Sequence, residues 1–130
     1  MNQILIPISP GELLDKITIL QIKAERISDP AKVVNVRSEL DMLQKVWGES
    51  VSEDEQISAL STELKSINER LWVIEDDIRD EERNKRFGER FIELARAVYV
   101  VNDDRANAKK KVNLHLNSSI VEEKSYQDYR

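Results

Sequence analysis

The sequence predicts an all-α protein in which antiparallel helical hairpins form a bundle with two long C-terminal helices. Three observations carry this. From Ser52 to about Asn84, apolar residues recur at Ile57, Leu60, Leu64, Ile67, Leu71, Ile74 and Ile78 in alternating steps of three and four. That spacing lays one narrow seam along a single helix roughly 45 Å long. Two steps, Ser9-Pro10 and Asp29-Pro30, place a capping side chain directly before a proline suited to the first helical turn. The one β-prone run, Ile4-Leu5-Ile6, is short and broken by Pro7.

With 130 residues, 40% of them hydrophobic, the chain suits one domain with a real core. Residues 1–130 are therefore expected to form a single helical domain, with an extended arm (1–8) laid over the helices and a polar tail (118–130).

Helix one starts at Ser9-Pro10-Gly11-Glu12. Ser9 fits the N-cap, Glu12 the returning acceptor of a capping box, and Ile8 and Leu13 the ends of a hydrophobic staple. Its stripe is Leu13, Ile17, Leu20, Ala24 and Ile27, and Asp29-Pro30 stops it near Ser28. The short connection makes helix two, with Val33, Val36, Leu40, Leu43 and Val46 or Trp47, its antiparallel partner. Helix two is expected to end at Gly48, and Ser52-Glu53-Asp54-Glu55 reads as the capping box of helix three. Between Asp80 and Gly88 the chain either turns or continues as one kinked helix. Phe87, Phe91, Leu94, Val98, Val101, Ala108 and Val112 give helix four, and the pattern fails past Asn117.

Composition removes several classes of function. Without cysteine there are no disulfides, thiolate zinc sites or cysteine nucleophiles, and a lone His115 makes no multi-histidine metal centre. The net charge of -5 disfavours nucleic acid and anionic membrane as partners. No signal peptide and no run near the ~20 apolar residues of a membrane span is present, so cytoplasmic residence is expected.

Four groups of residues are candidates for function. Asn102, Arg105 and Lys109 share one face of helix four and continue the seam of Phe91, Leu94 and Val98. Polar groups there must be paired or must face a cavity. One reading pairs Arg105 with an acid of helix three; the other makes this face an anion-holding cleft. On helix one, Lys16 and Lys23 either belong to a solvated face, with Glu12 and Lys16 paired at i and i+4, or add charge to that cleft. Glu75 to Glu82 holds six acids in eight positions. Asp76 and Asp80, with Asp103 opposite, have the spacing by which helices offer carboxylates to magnesium. The alternative is a charged helix end interleaved with Arg79 and Arg83. Finally, Trp72, Phe87 and Phe91 lie along the distal seam and are candidates for core edge or for a homodimer interface.

Ile8-Ser9-Pro10-Gly11-Glu12-Leu13-Leu14-Asp15-Lys16-Ile17-Thr18-Ile19-Leu20, the run Ile67 to Asp76, Ala95 to Tyr99 with Asn102 to Ala106, and Glu122 to Tyr126 together resemble a family of small bacterial proteins catalogued as DUF6165. The resemblance spans nearly the whole chain and implies no activity. It draws attention to Asp15, Lys16, Lys23, Glu75, Asp76, Asn102, Asp103 and Arg105 without giving them roles. Read from sequence, the chain is a structural or protein-interaction module. The alternative is a protein that binds a small anion, such as a nucleotide or phosphosugar, or a magnesium-dependent enzyme built on the Asn102/Arg105 face.

Overall fold

The structure is a computed structural model that describes residues 3–129. Four helices follow in order: α1 (Pro10–Arg26), α2 (Pro30–Ser50), α3 (Glu55–Arg83) and α4 (Glu89–His115). The α3–α4 pair packs most extensively, and α1 is the hub, lying against α2, α3 and α4. Cross-helix pairs Asp54–His115, Glu63–Lys111, Arg70–Asp104 and Asp77–Arg90 fix α3 and α4 as antiparallel neighbours. Among the helices, α2 touches α1 alone. It buries only Leu40 and Trp47 of the stripe expected for it.

Local chemistry sets the boundaries. The Ser9 hydroxyl accepts from the Glu12 amide at 3.2 Å, and the Asp29 carboxylate accepts from the Ala31 amide at 3.0 Å, as the two proline caps require. Elsewhere the expected limits shift. α1 ends at Arg26 rather than near Ser28. α2 runs through Gly48 to Ser50, since an exposed glycine only weakens a helix and Trp47, buried beside it, donates to Glu53 at 2.8 Å. The N-cap of α3 is Asp54, not Ser52: it accepts from the Ile57 amide at 2.8 Å and carries Ile57 to full burial.

The alternative between turn and kinked helix resolves as a turn. Lys85 takes φ 57°, Arg86 N–H donates to Glu81 at 2.9 Å and Lys85 N–H to Glu82 at 3.1 Å, the two bonds of a Schellman end. α4 closes in the same way through Asn117, at φ 54°.

The core gathers Leu13, Ile17 and Leu20 of α1, Leu40 and Trp47 of α2, Ile57 to Ile67 of α3, and Val101, Ala108 and Val112 of α4. Ile4, Leu5 and Ile6 are exposed rather than laid over the helices; coverage begins with Ile8. Met1 and Asn2, at the start of the arm, and Arg130, at the end of the tail, lie outside the described residues. No described helix is long and apolar enough to cross a membrane.

Candidate functional site

Where α1 crosses α3 and α4, three polar side chains sit among apolar ones. Asp15 is 1% exposed, Thr18 0% and Asn68 6%. Each occupies a helix position facing the core, so each needs a partner. Asn68 donates to Asp15 Oδ1 at 2.9 Å and to the Thr18 hydroxyl at 3.0 Å, and that hydroxyl donates to the Asp15 carbonyl at 2.9 Å. Arg105 completes the network, with Nε on Asp15 Oδ1 at 2.9 Å and Nη2 on Oδ2 at 2.5 Å. The partner of Arg105 is thus an acid of α1, not of α3. Its bonds to Asp15 hold the guanidinium charged, raising its pKa further above the usual value although partial burial opposes this.

One turn along, α1 begins almost in contact with α4. The Gly11 amide donates to Asn113 Oδ1 at 2.7 Å, and a Cβ on Gly11 would lie 2.4 Å from the Lys109 carbonyl oxygen. Lys109 pairs with Glu12 and lies 3.6 Å from Glu122 of the tail. Glu122 also accepts from the Ser9 hydroxyl at 2.6 Å. From there the tail returns along α4 as a strap. Lys124 reaches Asp103 at 2.8 Å, Tyr129 donates to Asp103 at 2.6 Å, and its ring meets Tyr99 edge-on with centroids 4.7 Å apart.

Between strap and α4 lies a partly open cavity of about 1020 Å³, lined by Val98, Tyr99, Asn102, Asp103, Arg105, Lys109 and residues of the strap, among others. Of the sequence candidates, Asn102, Arg105 and Lys109 therefore line one cavity. Lys16 lies outside it, 3.7 Å from Glu12, and Lys23 lies toward the other end of α1. Lys109 is engaged by acids, and Arg105 is held by Asp15 along one edge only. The Asn102 amide makes no hydrogen bond within the described residues.

The acidic candidates do not converge. Asp80 pairs with Arg83 at 2.6 Å and with Arg86, Asp103 is engaged by the strap, and Asp76 stands exposed on α3. Among the described residues no three His, Cys, Asp or Glu side chains group as a metal site needs.

The interface candidates lie on the distal α3–α4 hairpin. Trp72 and Phe91 are half-buried, Phe87 is 52% exposed, and the two phenylalanine rings meet edge-on at 5.2 Å. Around them Leu71, Ile74, Ile78 and Val98 are only half-covered, and Val73 and Ile92 are exposed.

The sequence singles out Arg105 but does not show that Asp15, Thr18 and Asn68 form one unit with it. The available signal was a polar residue at a seam position in each of two helices: Asp15 and Thr18 beside Leu14 and Ile17, and Asn68 beside Ile67.

The chain matches the sequence model of DUF6165, described as a family of unknown function, over residues 4–129. No curated protein and no solved structure matches it.

Proposed function

This chain belongs to the DUF6165 family, and from its geometry we propose that it is a structural and protein-interaction module that pairs as a homodimer through the distal α3–α4 hairpin. The observation that carries the reading is the apolar surface that the monomer leaves half-covered around Trp72, Ile74, Ile78 and Phe91. A two-helix hairpin cannot enclose a seam on both sides, and long helices bury such surface against further helices. A second copy fits because the same hairpin carries both signs of unpaired charge. Asp76 and Arg96, both exposed, have no ion-pair partner among the described residues. Two-fold pairing lets each copy complement the other.

Sedimentation equilibrium tests this. The expected result is a dimer at tens of micromolar for the wild type and a monomer for Trp72→Ala combined with Ile92→Glu. A wild type that stays monomeric at that concentration overturns the reading. Capture of a stable protein partner, lost with Trp72, would extend it to other chains.

A second reading has its own support: Asn102 and Arg105 both line the cavity under the strap, and Asp15 takes only the Nε and Nη2 side of the Arg105 guanidinium, which suits an anion-binding site. Thermal-shift measurements with nucleotides, sugar phosphates and carboxylates, with and without magnesium, test it. A rise in melting temperature that Asn102→Ala abolishes supports it, and the absence of any shift counts against it.

A further inference from the structure

We propose that the partly open cavity under the C-terminal strap takes a small amphipathic monocarboxylate, with its carboxylate on Arg105 and Asn102 and its apolar body against Val98 and Tyr99. The inference rests on the anion-binding reading and narrows it to a ligand class. Asp15 grips Arg105 side-on through Nε and Nη2, so the guanidinium plane is already fixed before any ligand arrives. What remains is the outer edge, Nη1 with the second hydrogen of Nη2, a pair of parallel donors with no partner among the described residues. That fork matches the two oxygens of a carboxylate. Asn102 stands three residues earlier on the same helix face and adds an amide donor whose hydrogen-bonding capacity is unused.

Charge decides between carboxylate and phosphate. Five acidic and four basic side chains line the cavity, and three of the bases already meet acids: Lys109, Lys124 and Arg105, whose partner Asp15 lies outside the lining. A phosphate monoester near neutral pH brings close to two negative charges into this balance, whereas a carboxylate brings one and uses the geometry already in place. The volume, about 1020 Å³, is at the upper end of small-molecule sites. Val98 and Tyr99 precede Asn102 by one turn and give the body of such a ligand an apolar surface.

The strap supplies the route in. Beyond Ser118 the described backbone makes no hydrogen bond to backbone, and residues 121–129 are all exposed. Its attachments are side chains: Glu122 at Ser9 and Lys109, then Lys124 and Tyr129 at Asp103. The outer two, Lys124 and Tyr129 at Asp103, are exposed polar contacts of the kind that open at low cost, while Glu122 stays anchored at the buried Ser9. The outer part of the strap therefore lifts to admit the ligand and re-forms over it.

Amide NMR of the full chain, titrated separately with 4-phenylbutyrate, 4-phenylbutyramide and phenyl phosphate, tests the inference. Phenylbutyrate is expected to give saturable shifts of the Asn102 side-chain amide and to slow tryptic cleavage after Lys124 in the strap. Asn102→Ala is expected to weaken it about tenfold, the value of one hydrogen bond to a charged group. Arg105→Lys keeps the charge and loses the fork, and is expected to weaken it further; if that variant does not fold, Asn102→Ala carries the test. Tighter binding of phenyl phosphate, or equal binding of the neutral amide, overturns the carboxylate assignment, the former leaving the anion reading standing. No saturable shift from any of the three at tens of millimolar overturns both.

Discussion

Asp15 and Arg105 lie ninety residues apart in the chain and meet through two hydrogen bonds, one carboxylate oxygen on Nε and the other on Nη2. The pair joins the first helix to the last, and Asn68 adds the third. Because Asp15 is 1% exposed while the Arg105 side chain is 30% exposed, the two halves of the pair are not equivalent. Removing Arg105 strands a buried carboxylate; removing Asp15 leaves an arginine that water can reach.

The first prediction follows from that asymmetry. Arg105→Ala should cost about 3 kcal/mol of stability, the order seen when one partner of a buried ion pair is deleted. Asp15→Ala should cost less. Replacing both, as Asp15→Leu with Arg105→Met, should recover part of the loss: the two apolar groups need no partner, while the buried Asn68 amide keeps only its bond to Thr18. Urea unfolding of the three variants checks the order; an Arg105→Ala protein as stable as the wild type would show the carboxylate to be reached by water.

Gly11 is the second test. Glycine to alanine inside a helix ordinarily gains up to about 1 kcal/mol, yet here the new Cβ would meet the Lys109 carbonyl oxygen at 2.4 Å and Asn113 Oδ1 at 2.8 Å. The first is backbone and cannot swing away. α1 must retreat from α4, losing the Gly11–Asn113 hydrogen bond, so Gly11→Ala should destabilise by about 2 kcal/mol, as overpacking does. A thermal melt at or above that of the wild type would mean that the helices separate freely.

These contacts mark where the sequence was legible. The caps Ser9 and Asp29 act within three residues, so a local pattern determined them. Ile57 to Ile67 share a period because they face one core. Leu71, Ile74 and Ile78 continue the same period, yet they are only half-covered in the monomer. Periodicity names the face of a helix and not what lies against it. For the same reason the face of Asn102, Arg105 and Lys109 could be drawn from spacing, while its partners Asp15, Glu12 and the strap depend on how α1 and the tail cross α4. The choice of Asp54 over Ser52 as cap was equally non-local: both residues fit the pattern, but Asp54 also meets His115, sixty-one residues on.

The turn between α3 and α4 gives a stabilising prediction. Lys85 holds φ 57° at the position after the helix cap, where glycine is the usual residue, and its side chain is exposed. A left-handed non-glycine residue costs roughly 1–2 kcal/mol, of which the added freedom of glycine in the unfolded chain returns a part. Lys85→Gly should therefore raise stability by about 1 kcal/mol, or the melting temperature by about 4 °C. Its distant ion pair with Glu82, at 3.9 Å, is too exposed to oppose this. Differential scanning calorimetry provides the check, and a lower melting temperature would argue against the Schellman geometry.

Acid sensitivity at the start of α3 is the last prediction. The Asp54 carboxylate accepts from the Ile57 amide and approaches His115 at 2.7 Å, and these hold its pKa below the ordinary value, the backbone bond contributing most. A carboxyl whose folded pKa lies below its unfolded one adds stability that is complete above the unfolded pKa and is lost as pH falls through the folded one. The loss at this cap therefore belongs below about pH 4, where free aspartate itself takes up a proton. Carboxyl-detected NMR should show Asp54 titrating below the free residue. In His115→Ala the value should move up only part of the way, because the Ile57 amide remains. A full return to the free value in that variant would transfer the effect from the helix cap to the histidine.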